Sequence, residues 1–117
     1  MIYSKTYMTI GFEVEHPGII LWEEYLNPLK INKSQFARDI QISYQRAHAI
    51  LQGKRAITPD TALRLSSYLG TTAEFWVNWQ GLYDLQKTAK QHQEYKSIKQ
   101  CQRLNIAKAK ALHSTEA

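Results

Sequence analysis

The sequence predicts an all-α fold of five short helices over residues 16–90, and three observations carry that reading. Apolar residues recur at helical spacing, residues that start helices stand just ahead of each apolar set, and strand signals are nearly absent. No hairpin dipeptide separates alternating apolar runs, and only residues 7–14 have a pattern that could run extended. The 117 residues accommodate one compact domain, with an N-terminal arm (1–15) before it and a basic polar tail (91–117) after it.

The first helix is expected after His16-Pro17-Gly18, because proline is favoured at the first helical position. Ile20, Leu21, Tyr25 and Leu26 form its apolar side, with Trp22 and Leu29 at the margins. Glu23 and Glu24 face water, and Pro28 ends the helix because its ring clashes with the preceding turn. Asn32 is a good N-cap for the second helix, with Gln35 three residues on and Phe36, Ala37 and Ile40 as its stripe. A short turn, Ile40-Gln41-Ile42, leads to Ser43, the N-cap of a third helix over residues 44–52. That helix points Ala47, Ile50 and Leu51 inward, and Gly53 closes it in the left-handed conformation.

Thr58-Pro59 opens the fourth helix, which runs to Leu69 with Gly70 behind it. Its buried side is expected to be Ala62, Leu63, Leu65, Ser66 and Leu69. The fifth opens at Thr71 or Thr72, with Thr71 and Glu74 spaced as a capping box, and carries Phe75, Trp76, Trp79, Leu82, Tyr83 and Leu85. Beyond Ala89 the chain turns polar. Residues 96–113 have helical propensity but too few apolar side chains to bury a face, so a solvated helical tail is expected, ordered by a partner if at all.

Composition narrows the function. The longest apolar run, residues 18–22, is far short of a membrane span of about 20 residues. Residues 1–9 lack the apolar stretch of a secretory signal, and a single cysteine, Cys101, fits a reducing cytoplasm. No metal, cofactor or catalytic constellation is implied. His16, His48, His92 and His113 lack ligand spacing, and adjacent Glu23 and Glu24 diverge on a helix. The net charge of +5 is uneven. Residues 1–30 are acidic, whereas residues 31–64 hold six basic against two acidic side chains. That basic middle suits a polyanion, although charge runs also mark ordinary solvated surface.

The second and third helices, joined by a short turn and crossing at Ala37, have the layout of a helix-turn-helix. Alanine permits a close crossing, Ile42, Ala47 and Ile50 fill the space beneath, and the third helix then projects its outer face. Such a helix can enter a DNA major groove about 12 Å wide. Tyr44, Gln45, His48 and Ala49 are the candidates for base readout. Gln45 leads, since a glutamine amide pairs bidentately with adenine N6 and N7. Lys33, Ser43, Arg46, Lys54 and Arg55 are the candidate phosphate contacts, with a solvated loop the alternative for Lys54 and Arg55. Glycine usually occupies the left-handed position of the turn. Here it falls on Gln41, at a cost on the order of 1 kcal/mol. Phe75, Trp76, Trp79, Leu82 and Tyr83 are many large apolar groups for one terminal helix. They either complete the core or form a two-fold dimer contact. A dimer would set two reading helices about 34 Å apart and calls for a palindromic operator.

Several segments occur together and in order: His16-Pro17-Gly18, Phe36-Ala37-Arg38, Ser43-Tyr44-Gln45-Arg46, Gly53-Lys54-Arg55-Ala56-Ile57-Thr58, Thr61-Ala62-Leu63-Arg64-Leu65 and Glu74-Phe75-Trp76-Val77-Asn78. With them the sequence resembles HigA-type antitoxins, also known as the virulence-associated protein I family, in the lambda-repressor-like, Xre-type helix-turn-helix superfamily. The resemblance spans residues 14–90; Gln41 and the basic tail depart from the usual pattern. It implies a cytoplasmic homodimer that represses its own operon on double-stranded DNA and neutralises a small RelE-like ribonuclease toxin. The alternatives are a stand-alone Xre-like transcription regulator and a protein inhibitor that does not bind DNA. Contact with the toxin through residues 1–30 or the tail would suit a basic ribonuclease, given the acidic start.

Overall fold

A computed structural model describes residues 12–103. The first helix, α1, begins as α-helix Pro17–Ile20 and continues as a π-helix, Leu21–Leu26. Then follow α2 (Lys33–Ile40), α3 (Tyr44–Leu51), α4 (Pro59–Leu69) and α5 (Ala73–Gln91), with a 3-10 turn at Glu94–Ser97. No strand occurs among the described residues, and the five helices are those the periodicity predicts.

The caps explain where the helices start. Asn32 Oδ1 accepts from the Gln35 N–H at 2.8 Å, Ser43 Oγ from the Arg46 N–H at 3.1 Å, and Thr58 Oγ1 from the Thr61 N–H at 3.3 Å. Each satisfies an amide that the first helical turn leaves without a carbonyl. At α5 the expected capping box does not form. Thr72 is the N-cap, accepting from the Phe75 N–H, while Thr71 Oγ1 instead accepts from the indole N–H of Trp76 at 2.7 Å. A buried indole needs an acceptor, and Thr71 supplies it.

Leu21 and Leu26 from α1, Phe36, Ala37 and Ile40 from α2, Ala47, Ile50 and Leu51 from α3, Ile57, Ala62 and Leu65 around α4, and Trp76 from α5 form one core. The buried side expected for α4 is met in part: Ala62 and Leu65 are buried, Ser66 and Leu69 are half-buried, Leu63 is 62 % exposed, and Thr61 is buried in its stead. The hydroxyl of Thr61 accepts from Arg46 Nη2 at 2.7 Å, so the burial leaves no polar group orphaned.

The motif His16-Pro17-Gly18 joins α1 to the end of α3. A Cβ on Gly18 would lie 1.9 Å from the carbonyl oxygen of Ile50, so only glycine lets the two backbones come this close. His16 is buried beside it, its Nδ1 accepting from the Gly18 N–H at 2.9 Å and its ring edge-on to Tyr83. Burial is the main cause that holds the His16 pKa below the ordinary histidine value, outweighing the opposing pull of Asp84.

Residues 12–15 lie against α5. The side-chain amide of Gln86 donates to Phe12 O and accepts from the Val14 N–H, the indole of Trp79 donates to Glu15 O, and Lys90 pairs with Glu13. Within the expected extended stretch, residues 12–14 form no strand, and the rest lies outside the described residues. Residues 98–103 are not helical, and the remainder of the expected tail helix is likewise outside them.

Candidate nucleic-acid interface

The turn between α2 and α3 sets the geometry. Ala37 is only 3 % exposed at the helix crossing. Gln41 takes the left-handed conformation (φ 62°, ψ 48°), its N–H donates to Arg38 O at 3.2 Å, and the Ile42 N–H donates to Ala37 O at 3.0 Å. That pair of bonds is the Schellman motif, here with a non-glycine residue at its left-handed position. Ile42 packs onto the core and Ser43 then starts α3.

Arg64, on α4, supports this turn from outside. Its Nη1 donates to Ile40 O at 2.9 Å and Gln41 O at 3.2 Å, carbonyls that the end of α2 leaves free. Its Nε donates to Asp60 Oδ2 at 3.0 Å, and the same oxygen receives Arg46 Nη2 from α3 at 3.0 Å. Arg64 first and Arg46 second hold the carboxyl of Asp60 below the usual carboxylate range. The acid beside α3 is thus neutralised by two guanidinium groups.

The outer face of α3 is open. Tyr44 is 45 % exposed and Gln45 is exposed, while His48 and Ala49 are half-buried. The Tyr44 and His48 rings stack at 5.6 Å, which makes one aromatic ledge along the helix. Nδ1 of His48 is buried without a hydrogen-bond partner among the described residues, so the ring can offer only Nε2 outward.

The candidate phosphate contacts flank this face. Lys33 sits at the first position of α2 with its ammonium 5.1 Å over the Trp22 ring, and Lys54 and Arg55 are exposed in the loop after α3. Ser43 spends its hydroxyl on capping, and Arg46 spends Nη2 on Asp60 and Thr61. Sequence reasoning passed over an open groove of about 420 Å³ in front of α2, lined by Trp22, Asn32, Lys33, Ser34, Arg38 and Tyr44. The spacing of Ser34 and Arg38, one helical turn apart beyond Lys33, was the available signal.

The aromatic cluster of α5 divides. Trp76 is 0 % exposed, packed against Tyr25, Phe75 and Trp79, and so belongs to the core of the single chain rather than to a dimer contact. Phe75 is 39 % exposed. Trp79, Leu82 and Tyr83 are half-buried, Trp79 being bonded to Glu15 and Tyr83 lying against His16.

A left-handed turn at Gln41, a close crossing at Ala37 and an outward α3 define a helix-turn-helix domain. The helix-turn-helix family profile matches residues 23–76. Virulence-associated protein I of Dichelobacter nodosus is 44 % identical over 79 residues, which cover 68 % of this chain and 72 % of that protein. An addiction module antidote protein of the HigA family from Coxiella burnetii has a similar structure, with TM-score 0.71 and 40 % identity over 77 % of this chain and all of that one. The antitoxin HigA of Pseudomonas aeruginosa, solved with the higBA promoter, gives TM-score 0.69 and 34 % identity over 74 % of this chain and 97 % of that one. The chain belongs to the HigA-type, virulence-associated protein I family of helix-turn-helix proteins.

Proposed function

We propose that this chain is the antitoxin of a type II toxin–antitoxin module, a dimeric repressor that binds a palindromic operator of its own operon and neutralises a RelE-like ribonuclease in the cytoplasm. The observation that carries the DNA half is the open face of α3, held at a fixed angle by the Gln41 turn and flanked by Lys33, Lys54 and Arg55. A relative of the same fold, the Pseudomonas aeruginosa antitoxin HigA solved with the higBA promoter, supports the same reading. In this reading Gln45 pairs with an adenine edge, Tyr44 and His48 line the groove, and Ala49 leaves room for a thymine methyl. Lys33, Ser43, Lys54 and Arg55 hold phosphates, Ser43 through its backbone as well as its hydroxyl. Phe75, Trp79, Leu82 and Tyr83 supply the two-fold contact.

Co-expression with the product of the adjacent reading frame tests the toxin half. A stable complex that abolishes the ribonuclease activity of a basic partner is the expected result. Free partner, fully active beside this chain, would leave a DNA-binding regulator without a toxin. For the dimer, sedimentation equilibrium is expected to give twice the chain mass, and Phe75→Glu to give the monomer.

A further inference from the structure

Two helices meet at one carboxylate oxygen, and a third is tied to them through Arg64. Asp60 Oδ2 accepts from Arg46 Nη2 on α3 and from Arg64 Nε on its own helix, each at 3.0 Å. Arg64 reaches on to Ile40 O and Gln41 O, the end of α2 and its left-handed turn. Arg46 is further held by Thr61 Oγ1 at 2.7 Å. The chain of bonds therefore runs from the end of α2, through α4, to the first turn of α3. These are the parts whose mutual angle decides where Tyr44 and Gln45 point.

Asp60 is more than half exposed. An exposed ion pair contributes little to stability, and a carboxylate beside a DNA-reading helix repels phosphate. On electrostatics alone, such a residue hinders binding. Its geometry gives it another use. Two guanidinium groups sharing one oxygen fix both arginine planes, which a loose pairing to solvent would not.

We propose that Asp60 is a positioning residue for sequence recognition: by holding Arg46 and Arg64 together it fixes the angle of α3, and Arg46 serves this clamp rather than a phosphate. The inference rests on the DNA-reading role of α3. The two views of Asp60 differ in sign. If its charge were all that mattered, Asp60→Asn would tighten binding to every duplex. As a positioning residue, its loss lowers affinity for the preferred duplex while leaving affinity for scrambled DNA equal or higher.

The test uses the full chain and a duplex that it enriches from a random-sequence pool, against a scramble of that duplex. The wild-type chain enriching no sequence would overturn the DNA-reading role itself. Given enrichment, Asp60→Asn is expected to reduce the preference for the selected duplex about tenfold or more, the loss of one well-aligned base contact. Arg64→Gln breaks the clamp at its link to the α2 turn and is expected to do the same, so the test does not depend on one variant folding. Arg46→Met is expected to leave the salt dependence on scrambled DNA unchanged, whereas a phosphate contact would flatten the log–log slope by about 0.9. An unchanged preference in Asp60→Asn or Arg64→Gln, with circular dichroism showing the fold intact, would overturn the proposal. So would a flattened slope in Arg46→Met.

Discussion

The turn before α3 and the turn after it close with the same pair of backbone bonds. Before α3, the Ile42 N–H reaches Ala37 O and the Gln41 N–H reaches Arg38 O; after it, the Lys54 N–H reaches Ala49 O and the Gly53 N–H reaches Ile50 O. Both use a left-handed residue, Gln41 at φ 62° and Gly53 at φ 75°. What surrounds them differs. The first is held by Arg64 on two carbonyls, one part-buried and one exposed, a polar brace from a side chain. The second lies under Ile19 and His16, next to the contact of Gly18 with Ile50. A glutamine can be left-handed where a brace offsets its strain and nothing crowds its Cβ. Where backbones touch, only the absence of a side chain serves. One end of α3 is set by hydrogen bonds to a side chain and the other by steric fit.

Substitutions should separate these two means. The largest effect is expected from Gly18→Ala, whose Cβ meets the backbone oxygen of Ile50 and cannot be relieved by a rotamer change. A loss of about 3 kcal/mol or more, measured by urea unfolding, is expected. A loss below about 1 kcal/mol would show that α1 does not need its close approach to α3. Gly53→Ala adds the left-handed cost, but its nearest contact is the tip of the Ile19 side chain, which can move. About 1–2 kcal/mol is expected. Gln41→Gly should go the other way and stabilise the chain by about 0.5–1 kcal/mol, since the strain at that turn is removed while Arg64 still binds the carbonyls. Destabilisation there would mean the glutamine side chain contributes more than its backbone costs.

The smallest change is expected from pH. His16 has a folded pKa below its ordinary 6.5, so the fold favours the neutral ring. The unfolded chain then takes up the proton first as pH falls. Stability is full above about pH 6.5 and declines below it, until the folded state titrates as well. Protonation would also set an N–H at Nδ1 against the Gly18 N–H. His16→Gln is expected to flatten that decline; an identical pH profile would remove His16 as its source.

Much of this was legible in the sequence because capping and turn chemistry act locally. Asn32, Ser43 and Thr58 cap as read, and Gln41 is left-handed as its place in the turn requires. What was not legible depends on neighbours distant in sequence. Leu63 has the spacing of a core residue, yet Thr61 takes the interior because Arg46 satisfies its hydroxyl from another helix. Trp76 and Phe75 are adjacent and equally apolar, and only the packing of Tyr25 on Trp76 assigns one to the core. His16 looked like a lead-in to a proline and is a buried cap. Arg46 has the place of a phosphate contact, and its bond to Asp60, fourteen residues later, is beyond what local spacing shows. On α3 the exposure of Gln45 follows from the burial of Ala47, Ile50 and Leu51 on the opposite side, whereas Tyr44, on the same side as Leu51, is exposed as the first residue of the helix.

The central claim is that bases are read by the outer side of α3, and Gln45→Ala addresses it most directly. Titrated against the selected duplex and its scramble at one salt concentration, the variant is expected to lose about 1–3 kcal/mol on the first and almost nothing on the second. Equal losses on both duplexes, or none on either, would contradict the account.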